Sequence, residues 1–134
     1  WVAKDGKRAV TLAKFACERS DALACYLYGD LHRTGEGLPK DPILAAAYYD
    51  KSCNLEATLA CNEFAWLQCN DRNICTSKEL EAIERALPLD KNGNYHDTHG
   101  LVLCKMGKTK EAKAAYKKAC AKNKDLCKTT CPAK

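Results

Sequence analysis

Apolar residues recur three and four positions apart along most of the chain, and short polar or glycine-containing stretches interrupt the pattern. This period is typical of amphipathic helices. We therefore predict a chain built from helices joined by short turns. The residues predicted to face inward from the first three helices are Ala9, Leu12, Ala13, Ala16 and Cys17, then Leu23, Ala24, Leu27, Tyr28 and Leu31, and then Ala45, Tyr48, Tyr49 and Ser52.

Part of this pattern occurs twice at a spacing of 36 residues, so that Cys17 recurs as Cys53 and Cys25 recurs as Cys61. A helical repeat of this length around a glycine-containing break is typical of stacked helical hairpins. We predict an all-α fold, a short α-solenoid of stacked antiparallel helix pairs in a single domain over residues 1–134. The predicted repeats and repeat halves are 5–19, 21–54, 57–89 and 94–122, followed by a C-terminal cap at 123–134.

Three helix starts are predicted from local signals. Ser20 is expected to cap the second helix, and Asp41 followed by Pro42 is a good start for the third. Thr76 with Glu79 three positions later predicts a capping box.

The formal net charge of +5 comes mainly from lysines in the last third of the chain. A lysine run of this kind raises the question of a nucleic-acid partner. Arginine is scarce in this part of the chain, so a solvated helix face is the favoured interpretation, and no nucleic-acid partner is predicted.

Ten cysteines in 134 residues indicate either metal binding or disulfides. The chain has no C-x2-C pair, and its three histidines, His32, His96 and His99, do not give the usual zinc spacings. Disulfides in an oxidising compartment are therefore predicted, with no metal and no cofactor. No apolar run is long enough for a membrane span, and the chain is expected to begin at Trp1 after a removed leader.

Two stretches carry a resemblance to known families. GEGLPKDPILAAAYYDKSC resembles the Sel-like repeat, a relative of the tetratricopeptide repeat with a longer glycine-containing turn. DTHGLVLCKMGKTKEAKAAYKKA resembles a tetratricopeptide repeat, and its matching positions are Gly100, Leu103, Ala112, Tyr116 and Ala119. The cysteine pairs at 17/25 and 53/61 are similar to those of the Helicobacter cysteine-rich proteins. This resemblance implies a secreted or periplasmic, disulfide-bearing repeat protein.

A cysteine that ends one helix and a cysteine one turn into the next face each other across a tight turn, at bridging distance. This favours pairing Cys17 with Cys25 and Cys53 with Cys61, and Cys69 is expected to pair with Cys75 across a loop. The helix ends of a solenoid favour Cys104 with Cys131 and Cys120 with Cys127. Spacing alone leaves other connectivities open, above all for the last four cysteines.

Candidate catalytic motifs are weak. His96 and His99 lie one helical turn apart, but no further metal ligand at a suitable spacing is evident. GKTK at Gly107 resembles the end of a phosphate loop, but the preceding glycine is misplaced and no strand precedes it. No serine has a lysine three positions later. No catalytic residue is predicted.

The predicted function is therefore binding. In stacked hairpins the first helix of each pair lines the concave side, where exposed residues contact a protein or peptide partner. The predicted partner-binding residues are Tyr26, Asp30, Arg33, Asn62, Trp66, Asp97, Leu101 and Lys105. A tryptophan in such a position is a typical anchor.

The resemblance to the Sel-like repeat implies the favoured role, a non-enzymatic adaptor or toxin-neutralising immunity protein of the bacterial periplasm or secreted space. The resemblance to the Helicobacter proteins implies one alternative, a β-lactam or peptidoglycan-fragment binding protein or weak β-lactamase. The resemblance to the Sel-like repeat implies the other alternative, an assembly factor of the mitochondrial intermembrane space. The sequence leaves the oligomeric state open.

Overall fold

The computed structural model describes residues 2–131, and the side chains of residues 6–131. This part of the chain is all-helical and contains no strand. Its α-helices are α1 (Val2–Glu18), α2 (Ala22–Thr34), α3 (Pro42–Asn54), α4 (Thr58–Trp66), α5 (Ser77–Ala86), α6 (Asn94–Lys105) and α7 (Thr109–Lys122). A π-helical turn at Leu67–Asp71 follows α4, and short 3-10 turns lie at Leu87–Leu89 and Lys124–Leu126. The predicted all-α class with packed helix pairs is confirmed. Trp1 and the last three residues of the predicted cap lie outside the described range.

The chain divides into two compact units within α4. The first unit ends at Cys61 and the second begins at Asn62. Each unit is described separately below, and the single domain over residues 1–134 stays a prediction.

The predicted helix starts are confirmed at two of three places. The Asp41 carboxylate accepts hydrogen bonds from the backbone N–H of Leu44 and its neighbour, and Thr76 and Glu79 form the capping box. The prediction that Ser20 caps α2 is wrong. Ser20 has a left-handed φ of 65°, whereas a cap residue needs an extended backbone. Asp21 has that backbone, and its carboxylate accepts from Ala24 N–H at 2.9 Å.

In the first unit, α2 packs against both α1 and α3. The hydroxyl of Ser52 donates to the carbonyl of Ala22 at 2.6 Å, which joins the end of α3 to the start of α2. Gly29 allows the two helices to approach closely, because a Cβ there would lie 2.8 Å from a ring carbon of Tyr49. Tyr49 is fully buried against this glycine.

The predicted inward face of α2 is wrong at two positions. Leu23 is 63% exposed and Leu27 is 47% exposed, and the helix instead buries a stripe one residue further along. That stripe consists of Ala24, Cys25, Tyr28, Gly29 and His32. Cys25 turns toward α1 because it bonds to Cys17, and Gly29 turns toward α3 because only a small residue fits against Tyr49. In α1, Ala9 and Leu12 are likewise exposed rather than buried.

In the second unit, α6 and α7 form a hairpin in which a glycine again lies against a tyrosine ring. A Cβ on Gly100 would lie 2.5 Å from a ring carbon of Tyr116. Tyr116 packs with Leu103, Ala112 and Ala115 in one buried cluster. Helix α5 packs against the other side of α6.

Five disulfides join all ten cysteines. The pairs are Cys17–Cys25, Cys53–Cys61, Cys69–Cys75, Cys104–Cys131 and Cys120–Cys127. Their Cα–Cα distances run from 4.4 to 5.5 Å, within the usual range for a disulfide. They are the same five pairs that the sequence predicts. Five disulfides in a chain of this size indicate an oxidising compartment.

Candidate functional site

Three of the predicted partner-binding residues lie together on α2 of the first unit, around the buried ring of Tyr49. The Tyr26 ring lies tilted beside it, with ring centroids 5.7 Å apart. The Tyr49 hydroxyl donates a hydrogen bond to the Asp30 carboxylate. The guanidinium of Arg33 lies 5.9 Å from the centroid of the Tyr49 ring. Each of these three side chains therefore interacts with the buried Tyr49.

A groove of about 570 Å³ runs between α1 and α2. We call it the α1/α2 groove. It is lined by Ala9, Leu12, Ala13, Ala24, Leu27, Asp30, Leu31, Arg33, Thr34 and Glu36. Asp30 and Arg33 therefore belong both to the arrangement around Tyr49 and to this groove.

The α1/α2 groove combines an apolar surface with a few charges. Leu12 and Leu27 are exposed in it. Asp30, Arg33 and Glu36 add charges of both signs. Such a surface is suited to binding. The exposed leucines can contact an apolar side chain of a partner, and the charged residues can orient the segment to which that side chain belongs.

The lining of the α1/α2 groove offers little for covalent chemistry. Its residues, all within the described range, include no histidine and no cysteine. Its one hydroxyl, on Thr34, donates to the backbone carbonyl of Asp30 at 3.0 Å. The arrangement can bind a partner, but it lacks a nucleophile paired with a base.

The remaining predicted site residues belong to the second unit. Trp66 is at the margin of exposure, at 36%. Asn62 lies one turn before it on α4, and its buried Oδ1 has no hydrogen-bond partner. Lys105 is exposed, and its ammonium donates to Asn73 Oδ1 at 3.1 Å. Asn62 and Trp66 are four positions apart and thus share one face of α4.

Two predicted residues on α6 are largely withdrawn from solvent. The prediction that Leu101 is exposed is wrong: it is 6% exposed, because α6 is packed by α5 and α7 and buries every residue from Gly100 to Leu103. Asp97 is half-buried, and its Oδ1 has no hydrogen-bond partner. Burial raises the pKa of Asp97, and a hydrogen bond from Thr129 opposes that rise.

The HDTH motif has a structural partner that the sequence analysis missed. His96 Nδ1 lies 2.6 Å from the Asp90 carboxylate, and that carboxylate also accepts from the backbone N–H groups of Gly93 and His96. Burial would raise the pKa of Asp90, but these hydrogen bonds outweigh it and the pKa lies below its ordinary value. The described residues contain no group of three or more histidine, cysteine or acidic side chains placed to hold a metal ion. His96 therefore stabilises the turn before α6.

Sequence reasoning also missed Leu12 and Leu27 as surface residues. Both follow helical spacing, so the pattern assigns them to the core. The signal that could have corrected this is the neighbouring small residues, Cys25 and Gly29, which mark the face where helices approach.

No protein-family model and no curated protein matches the chain. The resemblance to Sel-like and tetratricopeptide repeats stays a prediction. No helix among the described residues has the length and apolar character needed to cross a lipid bilayer.

Proposed function

We propose that this protein is a non-enzymatic binding module of the bacterial periplasm or secreted space, acting as an adaptor or a toxin-neutralising immunity protein. It holds a segment of a partner protein in the α1/α2 groove. The observation that carries this proposal is the meeting of exposed Leu12 and Leu27 with Asp30 and Arg33 in one groove.

The groove chemistry favours an amphipathic segment as the occupant. Its apolar side chains would cover Leu12 and Leu27, and each fully buried leucine contributes about 1.5–3 kcal/mol. Its polar flank would meet Arg33 and Glu36, which orient the segment rather than supply most of the affinity. Apolar anchors with a polar flank are how grooves recognise amphipathic helices.

The disulfides support the compartment. A bridge at the α1–α2 bend, Cys17–Cys25, holds the two helices that form the groove. In an oxidising space the groove is therefore cross-linked in advance, which lowers the entropic cost of binding.

The proposal is tested by capture from an extracytoplasmic extract of the source organism on the immobilised, oxidised protein. The partner is identified and quantified by mass spectrometry. We expect Leu12→Ser with Leu27→Ser to reduce its recovery at least tenfold, since each tenfold step corresponds to about 1.4 kcal/mol. Arg33→Ala should reduce recovery less.

Ile43→Ser is the matched control, because Ile43 is 63% exposed, the same value as Leu12, but does not line the groove. Equal recovery by the groove variants and this control would contradict the proposal.

A further inference from the structure

A second cavity, of about 520 Å³, lies between α7 and the C-terminal tail in the second unit. Its volume is in the range of small-ligand sites. Both cysteines of the Cys120–Cys127 disulfide line it, and so does Cys131 of the Cys104–Cys131 disulfide. We call it the tail cavity. The sulfur atoms of these disulfides therefore lie beside a cavity that a small molecule can enter.

The disulfide at the tail cavity is the most accessible of the five. Cys127 is the one cysteine of the ten that is exposed. By contrast, both members of the Cys17–Cys25 and Cys53–Cys61 pairs are 3% exposed or less. Thiol–disulfide exchange requires a thiolate to reach one sulfur, so exposure selects which disulfide reacts.

The charged side chains that line the tail cavity are positive. Lys113 and Lys117, one helical turn apart on α7, are exposed and line the tail cavity. The described lining residues include no acidic side chain. Two cations here attract an anionic molecule from solution.

Lys117 also favours Cys120 as the sulfur that leaves when the disulfide opens. Lys117 lies three positions before Cys120 on the same helix. A nearby ammonium lowers the pKa of a thiol and so stabilises its thiolate. This offsets the negative end of the α7 dipole, which would disfavour a thiolate at Cys120.

We propose that the tail cavity binds a small anionic thiol, a thiol carrying carboxylate or sulfonate groups, which opens the Cys120–Cys127 disulfide by exchange. The thiolate sulfur attacks Sγ of Cys127, the sulfur–sulfur bond to Cys120 breaks, and a mixed disulfide forms at Cys127. Cys120 leaves as a thiolate and takes a proton from water. Attack by Cys120 on the mixed disulfide reverses the reaction and releases the thiol. The tail cavity is distinct from the α1/α2 groove, so this reaction does not depend on partner binding.

The experiment uses the oxidised full chain with one of two probes, anionic 2-mercaptoethanesulfonate or cationic cysteamine. Samples are quenched with acid over time, alkylated and mapped by peptide mass spectrometry. The expected first product has the probe on Cys127 and the alkyl group on Cys120. Per thiolate, and relative to each probe's rate with a small uncharged disulfide, 2-mercaptoethanesulfonate should react roughly tenfold faster than cysteamine. The reason is that the two lysines attract its sulfonate group and repel the ammonium group of cysteamine.

Two variant pairs test the role of the lysines. In Lys113→Gln with Lys117→Gln, the two probes should react at nearly the same rate once each is divided by its rate with the small uncharged disulfide. The control, Lys110→Gln with Lys118→Gln, removes the same charge from α7 outside the cavity lining and should keep the preference. First opening of another disulfide in the unsubstituted chain would overturn the proposal. So would a charge preference that is equal in the two variant pairs.

Discussion

The contact between Gly100 and Tyr116 predicts the effect of adding a single methyl group. In Gly100→Ala, the new Cβ would lie 2.5 Å from one ring carbon of Tyr116 and 2.6 Å from the next. These distances are far below van der Waals contact. The ring cannot move aside freely, because it is 6% exposed and packed against Leu103, Ala112 and Ala115. The two helices must therefore separate or the ring must leave its rotamer.

Two opposing effects determine the sign of the change. Overpacking a buried contact costs about 1–3 kcal/mol. Replacing glycine by alanine inside a helix gains about 0.8–1 kcal/mol. The clash therefore outweighs the gain in helix propensity, and we expect Gly100→Ala to lower the free energy of unfolding by about 1 kcal/mol, with about 2 kcal/mol as the upper end.

The assay is urea unfolding followed by far-ultraviolet circular dichroism, with the disulfides intact. Ala114→Gly, at an exposed position of α7, measures the propensity effect alone in this chain and should cost about 1 kcal/mol. In the Tyr116→Ala background the ring is gone, so Gly100→Ala should become stabilising by about the same amount. A stabilising effect of Gly100→Ala in the chain that keeps Tyr116 would refute the reasoning. An unchanged effect in the Tyr116→Ala background would also refute it.

Three further predictions concern the first unit. Replacing both Cys53 and Cys61, which are eight residues apart, by alanine should lower the free energy of unfolding by roughly 2.5 kcal/mol in the chain-entropy model, measured by urea unfolding. His32 is buried with both ring nitrogens unpartnered, and burial lowers its pKa below 6.5. Its contribution to stability is therefore complete above pH 6.5 and is lost as the pH falls through the lowered pKa, by at most about 1.4 kcal/mol per pH unit. His32→Phe should flatten this part of the pH profile of thermal unfolding, and an unchanged profile would exclude His32 as its source. Leu12→Ser and Leu27→Ser should each change the free energy of unfolding by no more than about 0.5 kcal/mol, since both side chains are exposed; a loss above about 1.5 kcal/mol would assign them to the core.

The helices and their cross-links are encoded locally, and this is why the sequence predicts them. Asp41 before Pro42 can start a helix without help from the rest of the chain, and so can Thr76 with Glu79. The spacing of Cys17 and Cys25 across one tight turn likewise needs only the two helix ends that it joins. These signals can be recognised in the sequence because each depends only on residues a few positions apart.

The orientation of each helix depends on its neighbours, and here sequence reasoning fails. A helix with apolar residues on more than one side has no single inward face until its partners are known. In α6, packing on two sides buries Leu101, which a one-sided pattern places at the surface. The turn network of Asp90 is also invisible in sequence, because an aspartate six residues before a histidine has no characteristic spacing.

The sequence predicts part of the candidate site, namely two of its charged residues, but not the buried residue next to them. The sequence predicts Asp30 and Arg33 from the position of α2 in an assumed repeat, and the structure places both beside Tyr49. Their binding to a partner stays a prediction. Tyr49 itself was assigned only to the core, so its part in holding the two charged side chains was missed. Helical spacing predicts that Tyr49 is buried, but it does not show which surface side chains a buried residue contacts.

The misassigned leucines connect the folding of the first unit to its proposed function. The α2–α3 contact places Gly29 against Tyr49 and packs the rings of Tyr28 and His32 against Tyr48. Leu23 and Leu27 lie on the exposed side of α2, and Leu27 joins Leu12 in the α1/α2 groove. Keeping large aliphatic side chains in water is unfavourable by about 1.5–3 kcal/mol each relative to burial. The core of the unit is formed by aromatic rings, small residues and disulfides, so the leucines remain available for a partner. Covering them supplies the free energy that binding would gain.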